Sequence, residues 1–224
     1  MTKYTIFKIS AIISGISGLI ILFGVAYPII KYEMYARQNF PLLISPLVNP
    51  LTSQILGSEA KDSTRVSNWF NNADFNFSNL NSSQAPLYHL SIPKLKIYDA
   101  LVSLGGDDLS VSLIHFPGTA LPGKPGNSVI FGHSVLPIFF NPKNYLTIFS
   151  NLPLLKTGDE IYLNYDSVLY RYQVESMFEI FPEDIQVLEQ DGSDSFLTLV
   201  TCVPPGDPRM PRRLIVRARV IPFN

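Results

Sequence analysis

Cys202 is the only cysteine in the chain. It ends the run Phe196-Leu197-Thr198-Leu199-Val200-Thr201-Cys202, and Val203-Pro204-Pro205-Gly206 follows. Two-residue alternation puts Leu197, Leu199 and Thr201 on one face of a strand and Phe196, Thr198, Val200 and Cys202 on the other. The prolines cannot continue a central strand, so the thiol belongs at the rim of a sheet. A lone buried cysteine is ordinarily a small hydrophobe. At a rim and beside a cation it becomes a candidate nucleophile, because the thiolate is the reactive form and a positive neighbour favours it. Arg213 opens a second run, in which Leu214, Val216, Ala218 and Val220 share a face. Parity therefore turns Arg213, not Arg212, away from the core. An edge strand blunted by arginines has the same pattern. His133 ends the apolar run from Asn127 to Gly132, a position that also suits a structural histidine. His115 lies in the loop-like Ile114-His115-Phe116-Pro117-Gly118 with its role open, and His89 falls within a strand pattern. Thiol, imidazole and guanidinium at strand ends are the parts of thiolate catalysis. The imidazole moves protons near neutral pH, and the guanidinium steadies a developing oxyanion.

The elements that must position these groups are short. Candidate strands are Tyr88 to Ile92, Ile97 to Ser103, Ser128 to Gly132, Glu160 to Tyr165, Leu169 to Ile180, Phe196 to Cys202 and Arg213 to Ile221. Turn signals separate them at Gly105-Gly106, Pro122 to Gly126, Gly158-Asp159, Asp166-Ser167 and Asp191-Gly192. Many short strands between such turns predict an all-β sandwich or barrel. One helix is expected from Tyr145 to Leu155. Residues 38–86 are dominated by Gln, Asn, Ser and Pro and show no sustained period, as expected of a spacer with one short helix near Thr64 to Phe70. Trp69, Phe70, Phe75 and Phe77 are unusual in a pure spacer and are suited to pack back on the domain.

The chain has 224 residues, enough for one domain with a small addition. Lys and Arg number 17 against 18 Asp and Glu, a net charge of −1, so the basic excess of a nucleic-acid binder is missing. Low net charge with 15 Phe and 11 Tyr excludes global disorder. One cysteine cannot form an internal disulfide or a cysteine-based zinc cage. Asp107-Asp108 and Glu183-Asp184 read as solvated loop acids rather than a calcium site, which needs several oxygen ligands. No metal and no cofactor is expected.

From Ile9 to Ile30 no residue is charged. As a helix this run spans roughly 33 Å, enough for a hydrocarbon core of ~30 Å. Its length favours an uncleaved anchor over a signal peptide cut near Gly24-Val25-Ala26. Lys3 and Lys8 precede the run, while Lys31, Glu33 and Arg37 follow it, a weak bias toward N-terminus inside and domain outside. The expected division is residues 1–8 in the cytoplasm, 9–30 across the membrane, 31–86 as a juxtamembrane stalk, and 87–224 as the β-rich domain that carries the candidate catalytic groups.

Four motifs, in order, resemble those of the sortases: Ile92-Pro93-Lys94-Leu95-Lys96-Ile97; His115-Phe116-Pro117-Gly118-Thr119-Ala120-Leu121-Pro122-Gly123 through Gly132-His133-Ser134; Leu155-Lys156-Thr157-Gly158-Asp159-Glu160-Ile161; and Thr198-Leu199-Val200-Thr201-Cys202 followed by Arg213-Leu214-Ile215-Val216. The last is the most specific. The resemblance implies a closed eight-stranded β-barrel with one or two short helices behind a transmembrane helix. It implies a membrane-anchored cysteine transpeptidase with Cys202 as nucleophile, His133 as general acid/base and Arg213 as oxyanion stabiliser. Thr198, Thr201 and Ser134 are expected near the substrate. The implied partners are secreted proteins with a C-terminal LPXTG-like sorting signal and an amine acceptor, either a cell-wall precursor or a pilin lysine. Three departures stand out. Ser134 follows His133 where many sortases carry Arg. The segment between Cys202 and Arg213 is proline-rich. Ala73-Asp74-Phe75 lacks the proline of the Asp-Pro-aromatic lid of pilin-assembling sortases. A peptidase that only hydrolyses and a non-catalytic surface scaffold are the competing readings.

Overall fold

The computed structural model describes residues 3–43, 62, 64–69, 87–209 and 211–223. One α-helix, α1 (Lys3–Asn39), opens the described chain. It is long and apolar enough to cross a membrane, and the Ile, Leu and Phe side chains along its middle are exposed. The helix does not stop where the uncharged run stops. Lys31 to Asn39 is rich in good helix formers such as Lys, Glu, Met, Ala, Arg and Gln, so the same helix continues.

Eight strands follow among the described residues: β1 (Leu87–Ile92), β2 (Ile97–Leu104), β3 (Leu113–His115), β4 (Gly126–Phe131), β5 (Glu160–Tyr165), β6 (Val168–Ile180), β7 (Ser195–Val203) and β8 (Arg212–Ile221). They close into a barrel in the order β1-β2-β3-β4-β7-β8-β6-β5. The neighbours are antiparallel except β2 with β3 and β4 with β7, which run parallel. Seven strands fall where alternation places them. β3 is the addition, converting the expected loop around His115 into barrel wall. The helix expected from Tyr145 to Leu155 is instead a set of turns ending in a 3-10 turn at Leu152–Leu154. The Asn141 and Asn144 side chains accept from the backbone N–H groups of Lys143 and Leu146. Such bonds to the backbone two residues on are Asx turns.

Two apolar layers hold the barrel. The interior contains Leu90, Ile97, Leu163, Leu197, Leu199 and Val216 among others, all shielded from solvent. A second layer coats the outer side of β4, β7 and β8, built from Val129, Phe131, Val200, Cys202 and Ile215. Val66 and Trp69, from the segment before the barrel, complete it. Each fully buried aliphatic side chain contributes about 1.5–3 kcal/mol relative to exposure. Because β7 is covered on both sides, all nine of its residues are buried.

Candidate active site

β7 and β8 pair so that Cys202 stands directly opposite Arg213. Alternation puts both on the outward side, since Val200, Cys202 and Ile215 lie in the outer layer while Leu197, Leu199, Leu214 and Val216 lie in the interior. On the other side of β7 runs β4, in parallel, with Phe131 opposite Val200. Two residues further on, this register brings His133 level with Cys202. Side-chain bonds lace the two chain ends there. Ser134 Oγ donates to the Cys202 carbonyl (2.8 Å), and Thr201 Oγ1 donates to the Gly132 carbonyl (2.8 Å). Gly132 is glycine for a steric reason. A Cβ at that position would lie 2.3 Å from Phe149 and 2.7 Å from Leu113, well inside contact distance.

The three groups are 5% (Cys202), 9% (His133) and 3% (Arg213) exposed. His133 Nδ1–H donates to the Leu146 carbonyl (2.7 Å), because a carbonyl only accepts. The neutral ring therefore carries its lone pair on Nε2, the atom that can take a proton. Arg213 donates from Nη1 to the Arg212 carbonyl (3.2 Å) and from Nη2 to the Trp69 carbonyl (2.7 Å). Its guanidinium lies 5.4 Å from the centre of the Trp69 ring, a cation–π distance. Burial pushes the Cys202 thiol up, and the Arg213 charge opposes that rise. Burial also pushes His133 below its usual value, while the Leu146 bond and the Asp62 carboxylate pull the other way. Both burial effects favour neutral thiol and neutral imidazole in this covered arrangement.

The cover is the segment around Trp69. Val66 N–H donates to the Asp107 carbonyl (3.0 Å), and Leu109 N–H to the Thr64 carbonyl (2.8 Å). The Asp107 carboxylate accepts from the Ser67 backbone (2.7 Å) and hydroxyl (2.9 Å). Trp69 is 1% exposed and meets Phe131 edge-on at 5.6 Å. Ala73-Asp74-Phe75 lies outside the described residues.

Cys202 and Arg213 therefore stand opposite each other on the outward side of β7 and β8, and the chain leaving β4 carries His133 past the same strand end. Thr198 and Thr201 are buried, and their hydroxyls are committed to protein acceptors. Thr198 Oγ1 donates to Asn127 Oδ1 (2.7 Å). His115 lies within the barrel wall. Tyr88 OH is hydrogen-bonded to its Nδ1 (2.6 Å), and Thr119 Oγ1 stands 3.0 Å from its Nε2. Burial pushes His115 down to about 4. Trp69 and Leu146 act on the site through backbone carbonyls. Sequence reasoning did not find Leu146, since any residue type supplies a carbonyl. For Trp69 the only tryptophan in an Asn- and Ser-rich stretch was the available signal.

Residues 90–221 match the family model of the Sortase domain. Sortase A of Streptococcus agalactiae is 29% identical over 132 residues, covering 58% of this chain and 51% of that relative. Sortase A of Staphylococcus aureus is 36% identical over 103 residues, covering 39% of this chain and 47% of that relative. The chain thus spans about half the length of the curated relatives it matches. Among solved structures, the Clostridium perfringens Sortase D5 transpeptidase is similar with a TM-score of 0.53 at 27% identity, over 64% of this chain and 82% of that one. A lid mutant of Sortase A from Corynebacterium diphtheriae is similar with a TM-score of 0.54 at 30% identity, over 66% of this chain and 78% of that one. With the barrel topology and the motif order in agreement, the chain belongs to the sortase family.

Proposed function

We propose that this chain is a membrane-anchored cysteine transpeptidase whose catalytic groups are Cys202, His133 and Arg213. The observation that carries the reading is the strand register. Cys202 pairs with Arg213 across β7 and β8, and the parallel β4 register, continued two residues past Phe131, would bring His133 level with Cys202. In the first step His133 Nε2 takes the thiol proton, and the Cys202 sulfur attacks the carbonyl carbon of a peptide bond in the substrate. The tetrahedral oxyanion faces the Arg213 guanidinium, which is always charged. Collapse breaks the C–N bond, and His133 returns its proton to the departing amine. A Cys202 thioester remains. An incoming amine attacks it, giving a proton to His133 as the thiolate leaves, and a new amide forms. Water in place of the amine gives hydrolysis.

The substrate is an LPXTG-like sorting signal near the C-terminus of a secreted protein, cut between Thr and Gly. The acceptor is an amine on a cell-wall precursor or a lysine of another protein. α1 anchors the enzyme, with its N-terminus in the cytoplasm and the barrel outside. Thr201 and Ser134 serve by lacing the ends of β4 and β7 together, and Thr198 fixes Asn127 further along β7, on the face of Cys202. Residues 64–69 must yield for a peptide to reach the sulfur, because Trp69 covers it.

The test incubates the full chain, in detergent, with a library of LPXTG-like peptides with and without an amine acceptor. Products are read by mass spectrometry. A thioester on Cys202 together with an amine-exchanged product is expected. Cleavage that no amine diverts would point to a hydrolase, and no Cys202 adduct with any peptide would favour a scaffold.

A further inference from the structure

The last turns of α1 do not merely leave the membrane. They dock on the barrel. Tyr32, Ala36 and Phe40, four residues apart, lie on one helix face. All three are buried and belong to the same apolar cluster as the barrel interior. The chain then runs beside the end of β6. Leu43 N–H donates to the Glu179 carbonyl (2.9 Å), and Glu179 N–H donates to the Pro41 carbonyl (3.0 Å). Charge follows the same route. Glu179 is 2% exposed, yet it carries a carboxylate. Tyr32 OH donates to its Oε1 (2.5 Å), and Arg212 Nε stands 3.1 Å from its Oε2. The other arm of Arg212 donates to Glu33 on the helix. Arg212 is thus gripped between a carboxylate of α1 and a carboxylate of β6. Its own carbonyl accepts from the Arg213 guanidinium, as does that of Trp69.

We propose that the juxtamembrane end of α1 is a positioning element of the active site: Glu33, with Tyr32 and Glu179, fixes Arg212, and the Arg212 backbone fixes the Arg213 guanidinium opposite Cys202. The inference rests on the reading of Arg213 as the oxyanion group. Glu33 and Arg212 touch no reacting atom and act through Arg213. A guanidinium held by two carbonyls keeps its fork aimed. When one of those carbonyls moves with a loosened strand end, the aim is lost and the charge draws back from the sulfur. The predicted cost therefore falls on the transition state rather than on substrate binding.

The experiment uses the full chain in detergent micelles with a peptide that the wild type turns over. Glu33→Gln keeps the shape of the side chain and removes its charge, and Tyr32→Phe removes one hydroxyl. Glu175→Gln is the control, because Glu175 pairs with Arg219 on the exposed side of the barrel. Steady-state kinetics and the pH profile of Cys202 alkylation are read for each, with thermal unfolding as a check on folding. Glu33→Gln is expected to lower kcat about tenfold with KM nearly unchanged. Its thiol profile should move to higher pH, part of the way to that of Arg213→Gln. Tyr32→Phe should act in the same direction, and Glu175→Gln should match wild type. Wild-type kcat and thiol profile in Glu33→Gln and Tyr32→Phe, with Arg213→Gln inactive, would overturn the inference alone. So would a loss of thermal stability in those two variants with no change in kcat or thiol profile. Wild-type turnover by Arg213→Gln would overturn the reading of Arg213 and this inference with it.

Discussion

Along β7 and β8 the inward and outward side chains answer to different demands. Inward stand Leu197, Leu199, Leu214 and Val216, all fully buried and all aliphatic. Outward stand Thr198, Cys202, Arg213 and Arg217, each with a specific neighbour. Thr198 bonds Asn127, Cys202 pairs with Arg213, Arg213 bonds the Trp69 carbonyl, and Arg217 lies 4.2 Å from the centre of the Phe196 ring. The inward face needs volume, and close packing makes every methylene count. The outward face needs particular atoms at particular places. Two residues adjacent in sequence can therefore be replaceable by opposite rules.

Substitutions separate the two faces. The largest effect is expected from Cys202→Ala, which should bring turnover below detection while thermal unfolding stays near wild type. It removes the proposed nucleophile and only one small side chain. Detectable thioester chemistry in that variant would end the assignment. Arg213→Lys keeps the charge and loses the planar fork, so kcat should fall by about 10²-fold or more. Equal kcat in the two proteins would mean that charge alone suffices. Leu199→Ala reverses the pattern. Chemical denaturation should show a loss of about 2–5 kcal/mol, while kcat per folded molecule stays unchanged.

His115 tests the exception, a titratable ring in the barrel wall. Its value is pushed down from 6.5 to about 4. The unfolded chain therefore binds a proton on this ring at pH values where the folded one does not. The stability it contributes is complete above pH ~6.5 and is lost as the pH falls toward 4, by up to about 3 kcal/mol. His115→Gln should be less stable at pH 7 and should show a shallower fall between pH 7 and 4 in urea unfolding. Parallel slopes would mean that folding leaves the ring's proton affinity unchanged. The smallest effect is expected from Trp69→Ala, which uncovers the outward face. Alkylation of Cys202 should quicken several-fold, since water and reagent reach the sulfur, with the barrel otherwise intact. An unchanged rate would mean that other groups cover the thiol.

The long strands were legible because alternation had room to repeat. β7 and β8 show four or more periods, and their parity separated Cys202 from Leu197 and Leu199 and turned Arg213 away from the core. β3 has only three residues, too few for a period, and its neighbour Pro117 makes the region read as loop. The stretch from 145 to 151 read as a helix, yet it folds as successive turns, entered through Asn141 and Asn144 side chains that each accept from the backbone N–H two residues on. The departure of α1 from a simple anchor was half visible. The uncharged run ends at Ile30, but the buried Tyr32, Ala36 and Phe40 continue a helical spacing. What no pattern could supply were the tertiary bonds, such as the Leu146 carbonyl on His133 or the Glu33 carboxylate on Arg212. Those pairs are far apart in sequence or involve backbone atoms common to every residue type.

The unbroken passage of α1 from its apolar run into the barrel has a consequence for how a partner is found. Nine residues of helix separate Ile30 from Asn39, about 13 Å at helical rise. A body mounted on so short and stiff a post does not sweep a hemisphere as a ball on a string does. With the apolar run in a bilayer, the barrel travels at nearly constant height and changes place chiefly by drifting sideways with its lipid neighbours. Encounter then becomes a search over a plane, and a polypeptide that is itself held at the bilayer is met far more often than one free in the surrounding volume.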